Sequence, residues 1–305
     1  MSVPSATCLT LLAALAAGQL LPPVPAAKRI VSVDVFVSDG QDGAVSGLTR
    51  NDFEIVAAGR KRDVLTAEVG RTPLDIVLLL DVTASMSASL QRNVLEDDVE
   101  RAVIHGLADG ERLRFGGFAR RLILTTSLTA DPRRLRTDLR TAMTHRREEL
   151  YGPSPIWDHT WRAIESFPHS GARRAIILIT DGRATGNARG VDDLALAAML
   201  HGVALHIVGQ DLEVHITRDE VSSVAVRPGN VLGWLAEVTG GRFISATALG
   251  ESPAGPLSAI FATLRQTYTL TFEAPALDGG PHQLEVRVGR ANVKVRARSL
   301  YAGSD

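Results

Sequence analysis

Two short, almost uninterrupted apolar segments constrain the fold of this 305-residue chain more than any other feature. Residues 74–80 read Leu-Asp-Ile-Val-Leu-Leu-Leu, and residues 175–179 read Ala-Ile-Ile-Leu-Ile. Such segments are typical of parallel strands that helices cover on both faces. A third apolar segment spans residues 203–208, and apolar residues at helical spacing lie between the three segments. The pattern predicts an α/β domain over residues 73–248, with a doubly wound, mostly parallel sheet.

The two ends of the chain carry a different pattern, in which apolar and polar residues alternate. In residues 28–70, Val31, Val33 and Val35 recur at period two, and residues 265–300 alternate in the same way between glycine-containing turns. A few strands from one end cannot close a hydrophobic core alone. We therefore predict that the two segments build one small all-β sandwich beside the α/β domain.

The first residues of the chain are typical of a targeting segment. Residues 8–21 are apolar and uncharged, prolines follow, and Val24-Pro25-Ala26 supplies small residues near a cleavage point. The apolar segment is shorter than the roughly 20 residues of a membrane-spanning helix, and no second candidate follows it. We predict a signal peptide over residues 1–27 and an exported protein that is periplasmic, displayed on the cell surface or secreted. Retention of the segment as an uncleaved anchor is the alternative.

Composition and charge exclude several classes of protein. Apolar residues make up 45% of the chain and charged residues 22%, as in globular proteins rather than disordered chains. The formal net charge of -1 provides no general attraction for nucleic acid. Cys8, the single cysteine, lies in the targeting segment, so we expect a mature chain with neither disulfides nor thiolate metal ligands.

Each of the two strongest predicted strands is followed by a carboxylate. Asp81 follows the first apolar segment directly, and Asp181 follows the second after one threonine. Ligands of such sheets bind beyond the carboxyl ends of the strands, and a carboxylate at the end of a buried strand requires compensation. Thr83 and Ser85 add hydroxyl oxygens at alternate positions of the loop after Asp81. Together these oxygens favour a hard divalent cation, Mg²⁺ or Mn²⁺, whereas zinc fits poorly without cysteine or nearby histidine.

These residues resemble a known metal-binding motif. Asp81-x-Thr83-x-Ser85 is similar to the Asp-x-Ser-x-Ser signature of the metal ion-dependent adhesion site (MIDAS) in von Willebrand factor A (VWFA) domains. Residues 151–158 resemble the family segment Gly-Gly-Thr-x-Leu-Tyr-Asp, and residues 179–182 resemble the segment that bears the last aspartate. The resemblance covers residues 73–248 and implies five metal ligands: Asp81, Thr83, Ser85, Ser154 and Asp181.

The sequence departs from the family motif at two ligand positions. Thr83 stands where serine is commoner in the family, which retains the hydroxyl group. Ser154 stands where the family has threonine, and it lies between Pro153 and Pro155. Both residues keep an oxygen ligand, but the two prolines restrict the backbone of the loop that carries Ser154.

The terminal segments are also similar to those of a bacterial family of exported VWFA-related proteins. The similarity rests on residues 47–49, residues 52–54 and residues 268–301. The resemblance implies a metal-dependent protein-binding module for adhesion or interaction, whose cation accepts an Asp or Glu side chain of a protein partner. No nucleic-acid partner is expected.

Three alternatives to this interpretation remain open. Asp81 and Ser85 could cap the helix that follows, and Ser154 with Pro155 fits the first positions of another helix. The domain could also be a structural scaffold whose site holds no metal. A metal-assisted hydrolase is the third alternative, although the chain lacks a Gly-x-Ser-x-Gly elbow, a phosphate-binding loop and a Gly-x-Gly-x-x-Gly motif. We predict that the protein is not an enzyme.

Overall fold

The computed structural model describes residues 29–87, 92–209, 214–219, 222–226, 228–245, 252–274 and 280–302. Within them, the strands are β1 (Arg29–Ser38), β2 (Phe53–Ala57), β3 (Arg60–Arg62), β4 (Val64–Val69), β5 (Leu74–Asp81), β6 (Glu111–Phe118), β7 (Leu122–Leu124), β8 (Arg173–Thr180), β9 (Val203–Gly209), β10 (Val214–Asp219), β11 (Ser222–Val226), β12 (Phe243–Ser245), β13 (Tyr268–Ala274), β14 (Pro281–Val288), β15 (Lys294–Ala297) and β16 (Leu300–Ala302). The helices are α1 (Ala84–Ser87), α2 (Arg92–Val99), α3 (Pro132–Ala142), α4 (Arg147–Leu150), α5 (Ile156–Glu165), α6 (Val191–Leu200), α7 (Pro228–Val238) and α8 (Ala254–Arg265). A 3-10 helix covers Arg50–Asp52, and a π-helical segment at Glu100–Ile104 follows α2.

A six-stranded sheet occupies the middle of the chain, with the strand order β12-β9-β8-β5-β6-β7. Neighbouring strands from β12 to β6 run parallel, and β7 pairs antiparallel with β6 at one edge. Along the chain, β6 is added on one side of β5, whereas β8, β9 and β12 are added on the other side. The strand order therefore reverses between β5 and β8. In open α/β sheets, a crevice for ligands lies at such a reversal, beyond the carboxyl ends of the strands.

Side chains of the central strands alternate between two hydrophobic cores, one on each face of the sheet. In β5, Leu78 and Leu80 belong to the core that α2, α3 and α8 cover, whereas Val77 and Leu79 belong to the core under α5, α6 and α7. This double coverage explains why the strand is apolar on both faces rather than alternating. The predicted α/β architecture is confirmed, with a sheet that is parallel in its centre, while the sheets built from the two ends of the chain are antiparallel. We call this part of the molecule, from β5 to α8, the α/β unit.

Two four-stranded antiparallel sheets join the two ends of the chain and form the part that we call the β-sandwich. One sheet has the strand order β15-β1-β13-β4, and the other has the order β16-β14-β2-β3. β1 pairs with β13 in a register that sets Val33 opposite Leu270. Val35, Phe272 and Tyr301 are fully buried in the core that the two sheets share. The alternation in the terminal segments therefore corresponds to one buried face per sheet.

Several elements of the α/β unit were not recognised in the sequence, and β6 and α8 are the largest of them. In β6, Arg112 and Arg114 interrupt the apolar pattern, and Gly116-Gly117 is typical of a turn. The structure requires glycine at the second of these positions, because a Cβ on Gly117 would collide with the carbonyl oxygen of Ala142 at the end of α3. α8 begins in a Gly-Pro segment, yet its apolar residues complete one core of the sheet.

Part of the sequence-based organisation lies outside the described residues. The predicted signal peptide, residues 1–27, is one such segment, and residues 246–248 at the end of the predicted α/β domain are another. Within the ranges that the structure describes, no helix combines the length and the apolar character needed to cross a membrane. The targeting function of the first segment stays a prediction.

Candidate metal centre

The carboxyl ends of β5 and β8 lie side by side where the strand order reverses, and we call this region the carboxylate edge. The two strands pair in parallel with Leu80 opposite Ile179, so Asp81 and Thr180 end the strands at the same level. Asp181 follows Thr180 directly. Asp81 is 2% exposed and Asp181 is 3% exposed, so two carboxyl groups are buried at this edge.

The Asp81 carboxylate accepts three hydrogen bonds. Its Oδ1 accepts from the Thr83 amide at 3.1 Å and from the Thr83 hydroxyl at 2.6 Å. Its Oδ2 accepts from the Thr180 hydroxyl at 2.7 Å. Both oxygens are therefore held in one orientation. Because these three donors are neutral dipoles rather than cations, they orient the negative charge of Asp81 without cancelling it.

The residues after β5 carry two neighbouring hydroxyl groups, one of which contacts Asp81. The hydroxyl oxygens of Thr83 and Ser85 lie 3.1 Å apart. Thr83 is buried, and Ser85 is half-buried within α1. Asp81 is the last residue of β5 and Ser85 lies inside the helix, so neither directly precedes α1. The helix-capping alternative therefore does not describe their positions.

Ser154 contributes a buried hydroxyl group that has no hydrogen-bond partner. The Ser154 amide donates to the Thr185 hydroxyl at 3.0 Å, and the Thr185 amide donates to the Ser154 carbonyl at 2.9 Å. These bonds fasten the loop before α5 to the loop after β8. The side chain is 5% exposed, yet its Oγ has no partner within the described residues. Pro155 precedes α5 without a side-chain capping bond, so the capping alternative is wrong for Ser154.

Asp181 is oriented by the loop that it begins. Its Oδ1 accepts from the Arg183 amide at 3.0 Å, and its Oδ2 lies 3.5 Å from Arg183 Nε. Gly182 has a φ of 76°, in the left-handed region that glycine adopts readily, and its amide donates to the Thr180 hydroxyl at 3.0 Å. Thr180 thus links Asp81 to the loop that begins at Asp181, since its hydroxyl also donates to Asp81. The Arg183 side chain is half-exposed and offsets part of the charge of Asp181 from the solvent side.

Burial and repulsion act on Asp81 in the same direction. Burial, and after it the negative charge of Asp181, raises the pKa of Asp81 to about 6, against the hydrogen bonds from Thr83 and Thr180. An Asp81 carboxylate that is ionised at neutral pH is therefore held at a cost in free energy. A cation among these oxygens would remove that cost, and carboxylate and hydroxyl oxygens are ligands that hard divalent cations prefer.

The ligands available at the carboxylate edge are of mixed type. In the described part of the chain, no group of three or more His, Cys, Asp or Glu side chains could hold a metal ion. A cation at this edge must therefore use hydroxyl oxygens beside the two carboxylates. The unpartnered Ser154 Oγ and the paired Thr83 and Ser85 hydroxyls meet that requirement, so the residues present fit such a cation.

Comparisons with known proteins identify the fold. No protein-family model matches the chain, and no curated protein matches it. Among solved structures, proximal thread matrix protein 1 from the mussel byssus is similar with a TM-score of 0.51 and 15% identity, over 69% of this chain and 50% of that chain. The fold is von Willebrand factor A-like. At this identity the similarity shows the fold alone.

Two further solved structures resemble the chain at lower TM-scores. The mussel protein with a zinc-occupied MIDAS motif has a TM-score of 0.48 and 15% identity, over 69% of this chain and 49% of that chain. An aerotolerance-related membrane protein from Bacteroides fragilis also has a TM-score of 0.48, with 18% identity over 63% of this chain and 98% of that chain. The three matches cover between 49% and 98% of the other chain.

Two residues that the sequence analysis did not single out organise the carboxylate edge, Thr180 and Thr185. Thr180 orients Asp81, and Thr185 holds the backbone of Ser154. Thr180 carried a usable signal, because it is the one hydroxyl residue in the apolar sequence of β8. Thr185 carried none, since its role depends on how the loop after β8 folds against the loop before α5.

The rim of the carboxylate edge consists of the same two loops. Tyr151 is 61% exposed and lies three residues before Ser154. Asp158, in the first turn of α5, accepts from the Ala188 amide at 2.8 Å and from the Arg189 amide at 3.1 Å. The loop after β8 is thereby held against α5. One loop of the rim therefore carries an exposed aromatic ring, and hydrogen bonds to Asp158 keep the backbone of the other loop in place.

Proposed function

We propose that the protein is an exported, metal-dependent protein-binding module that holds Mg²⁺ or Mn²⁺ with five side chains: Asp81, Thr83, Ser85, Ser154 and Asp181. The observation that carries the proposal is the buried Ser154 hydroxyl, which has no hydrogen-bond partner and belongs to the same edge as two buried carboxyl groups. An unpaired buried polar atom costs about 1–3 kcal/mol. A cation is a partner that hydroxyl and carboxylate oxygens can share.

The residues of the carboxylate edge prepare it for an anionic group of a partner protein. Thr83 and Thr180 fix both oxygens of Asp81, so little rearrangement accompanies ligand binding. A bound divalent cation supplies positive charge that attracts a carboxylate from solvent. We propose that this carboxylate is an Asp or Glu side chain of a protein partner, and that the exposed Tyr151 ring contacts the partner beside it.

We propose binding rather than catalysis, because both carboxylates of this edge are assigned to the cation. In the part of the chain that the structure describes, no third His, Cys, Asp or Glu side chain joins them in a metal-binding cluster. The proposal therefore leaves no acidic or imidazole side chain to take a proton from a water molecule as a general base must. The exported location rests on the apolar segment at residues 8–21.

Calorimetric titration with Mg²⁺ and with Mn²⁺ tests the metal site. Asp81→Ala and Asp181→Ala should each lower metal affinity by about 30-fold or more, because loss of one side of a buried charge contact costs about 2–5 kcal/mol. Ser154→Ala should lower the affinity less, since it removes a neutral ligand. Asp131→Ala is the matched control, because Asp131 is an exposed carboxylate that caps α3. Unchanged metal affinity in both Asp81→Ala and Asp181→Ala would contradict the site.

A binding experiment tests the proposed use of the cation. The immobilised full chain is exposed to proteins of the cell envelope in Mg²⁺ and in chelator, with Asp181→Ala and Asp131→Ala in parallel. A partner should be retained by the wild type and by Asp131→Ala in Mg²⁺, and it should be lost in chelator and from Asp181→Ala. Equal retention under all conditions would replace the adhesive function with that of a scaffold.

A further inference from the structure

We propose a second ligand site, for a small oxyanion such as phosphate or sulfate, in the cleft between the α/β unit and the β-sandwich. The cleft has a volume of about 250 Å³. It lies beside the first residues of β8 and β9, at the end of the sheet that we call the amino edge, opposite the carboxylate edge. The lining residues that matter here are Ser32, Thr72, Arg173, Arg174, His201 and Arg298.

Two of the arginines that line the cleft are held in place by hydrogen bonds. Arg173 is 8% exposed and donates from Nε to Asp34 at 2.9 Å. Arg298 donates from Nη1 to the Met199 carbonyl and from Nη2 to the Ser32 carbonyl, both at 2.8 Å. Because Met199 lies in α6 and Ser32 lies in β1, Arg298 fastens the α/β unit to the β-sandwich. The cleft is therefore bounded by side chains that already have partners.

Arg174 and His201 line the same cleft, but unlike the two arginines above they have no bonding partner among the described residues. In the part of the chain that the structure describes, their side chains make no hydrogen bond and no ion pair. Arg174 is half-buried at the start of β8, and His201 is exposed directly after the end of α6. Their donor groups are thus available to a ligand, with the hydroxyl groups of Ser32 and Thr72 in the same lining.

The charge of the lining selects an anion. Arg173, Arg174 and Arg298 supply three positive charges and Asp34 supplies one negative charge, which leaves an excess of two positive charges. Guanidinium groups bind phosphate and sulfate oxygens through paired hydrogen bonds. The volume is below the roughly 300–1,000 Å³ of most small-molecule pockets, so a single oxyanion group fits better than a nucleotide. A bound oxyanion would contact both parts of the molecule and stabilise their junction.

Calorimetric titration of the full chain with inorganic phosphate, and separately with sulfate, tests the proposal. A chelator is present throughout, so that no metal ion at the carboxylate edge contributes to anion binding. The wild type should bind saturably, and Arg174→Gln should lose affinity by about tenfold or more, which is about 1.4 kcal/mol. His201→Gln should also bind more weakly. Arg133→Gln is the matched control, because Arg133 is an exposed arginine on α3, and it should bind like the wild type.

Two further measurements make the outcome decisive. Because the Arg174 side chain makes no bond within the described residues, Arg174→Gln should keep the wild-type Tm in phosphate-free buffer, which separates lost binding from lost folding. Titration with phosphoserine identifies the source of the oxyanion: affinity equal to that of phosphate indicates a free ion, and higher affinity indicates a phosphorylated partner. Absence of saturable binding at millimolar phosphate, or equal losses in Arg174→Gln and Arg133→Gln, would overturn the proposal.

Discussion

Buried acidic side chains have different partners at the amino edge and at the carboxylate edge of the central sheet. At the amino edge, Asp75 is fully buried and receives both a 2.8 Å bond from Arg112 Nε and a 2.8 Å bond from Arg112 Nη2. Glu111 receives the same paired bonds from Arg265. Each buried acid there has its own guanidinium group. These acids hold strands and helices together, and their charges are neutralised within the fold.

At the carboxylate edge, the partners of the buried acid are different. Asp81 is the last residue of the strand in which Asp75 is the second, yet its hydrogen-bond donors are the Thr83 and Thr180 side chains and a backbone amide. Its pKa is raised to about 6, chiefly by burial and then by Asp181. The fold therefore orients the Asp81 carboxylate without neutralising it, which is the property on which the proposed metal site depends.

The largest change in the free energy of unfolding should follow from breaking the ion pair between Asp75 and Arg112 at the amino edge. Asp75→Asn should lower the free energy of unfolding by about 3 kcal/mol, because it removes the charge from a buried, doubly bonded carboxylate. Denaturant unfolding at pH 7 measures the change. Glu285→Gln is the matched control: Glu285 forms the same paired bonds with Arg287 at an exposed position, so its loss should hardly change stability. Equal effects of the two changes would remove the distinction between the pairs.

The burial of His206 near three arginines predicts a stability that falls in acid. Burial, and after it the charges of Arg173, Arg242 and Arg296, lowers the pKa of His206 to about 3. In the unfolded chain His206 binds a proton below pH 6.5, whereas in the folded protein it does not, so the unfolded state gains protons as the pH falls. This residue should therefore reduce the free energy of unfolding by about 1.4 kcal/mol per pH unit below 6.5, or about 2 kcal/mol at pH 5.

Replacement of the histidine measures this contribution. His206→Leu should remove the additional acid sensitivity, so that the variant gains stability relative to the wild type between pH 6.5 and pH 5. Above pH 7 the two proteins should differ by a constant amount, which serves as the internal reference. A constant difference over the whole range would show that His206 takes up its proton in the folded protein as well.

The smallest change in the free energy of unfolding is expected at the carboxylate edge, where a substitution should stabilise the protein rather than destabilise it. In chelator at pH 7, Asp81→Asn should raise the free energy of unfolding by about 1 kcal/mol. The change removes a buried charge that Asp181 repels, and this gain exceeds the loss of one hydrogen-bond acceptor. In Mg²⁺ the order should reverse, since only the wild type gains stability from binding. Thermal unfolding under both conditions checks the pair of results. A variant less stable than the wild type in chelator would show that Asp81 is a structural residue like Asp75.

How much of this could be predicted depends on whether the interaction is local in the sequence. β5 and β8 were predictable because helices cover both faces, which makes the strands apolar throughout. Asp81 and Asp181 were predictable because they interrupt that pattern at its end. The Glu111–Arg265 pair joins residues that are 154 positions apart, and the sequence pattern around neither residue predicts the pair. The unpartnered state of Ser154 likewise depends on two loops that meet only in the folded protein.

The pairing of the two ends of the chain has a consequence for the order of folding. Val35 lies opposite Tyr268, and the β-sandwich core includes Tyr301, so its contacts join the first and last described strands. During synthesis, β1 to β4 emerge long before β13 to β16 exist to cover them. The α/β unit can acquire its own core in that interval, whereas the early strands keep open edges that other chains could join. The nascent protein is therefore most vulnerable to aggregation at its N-terminal strands, until synthesis of the last strand is complete.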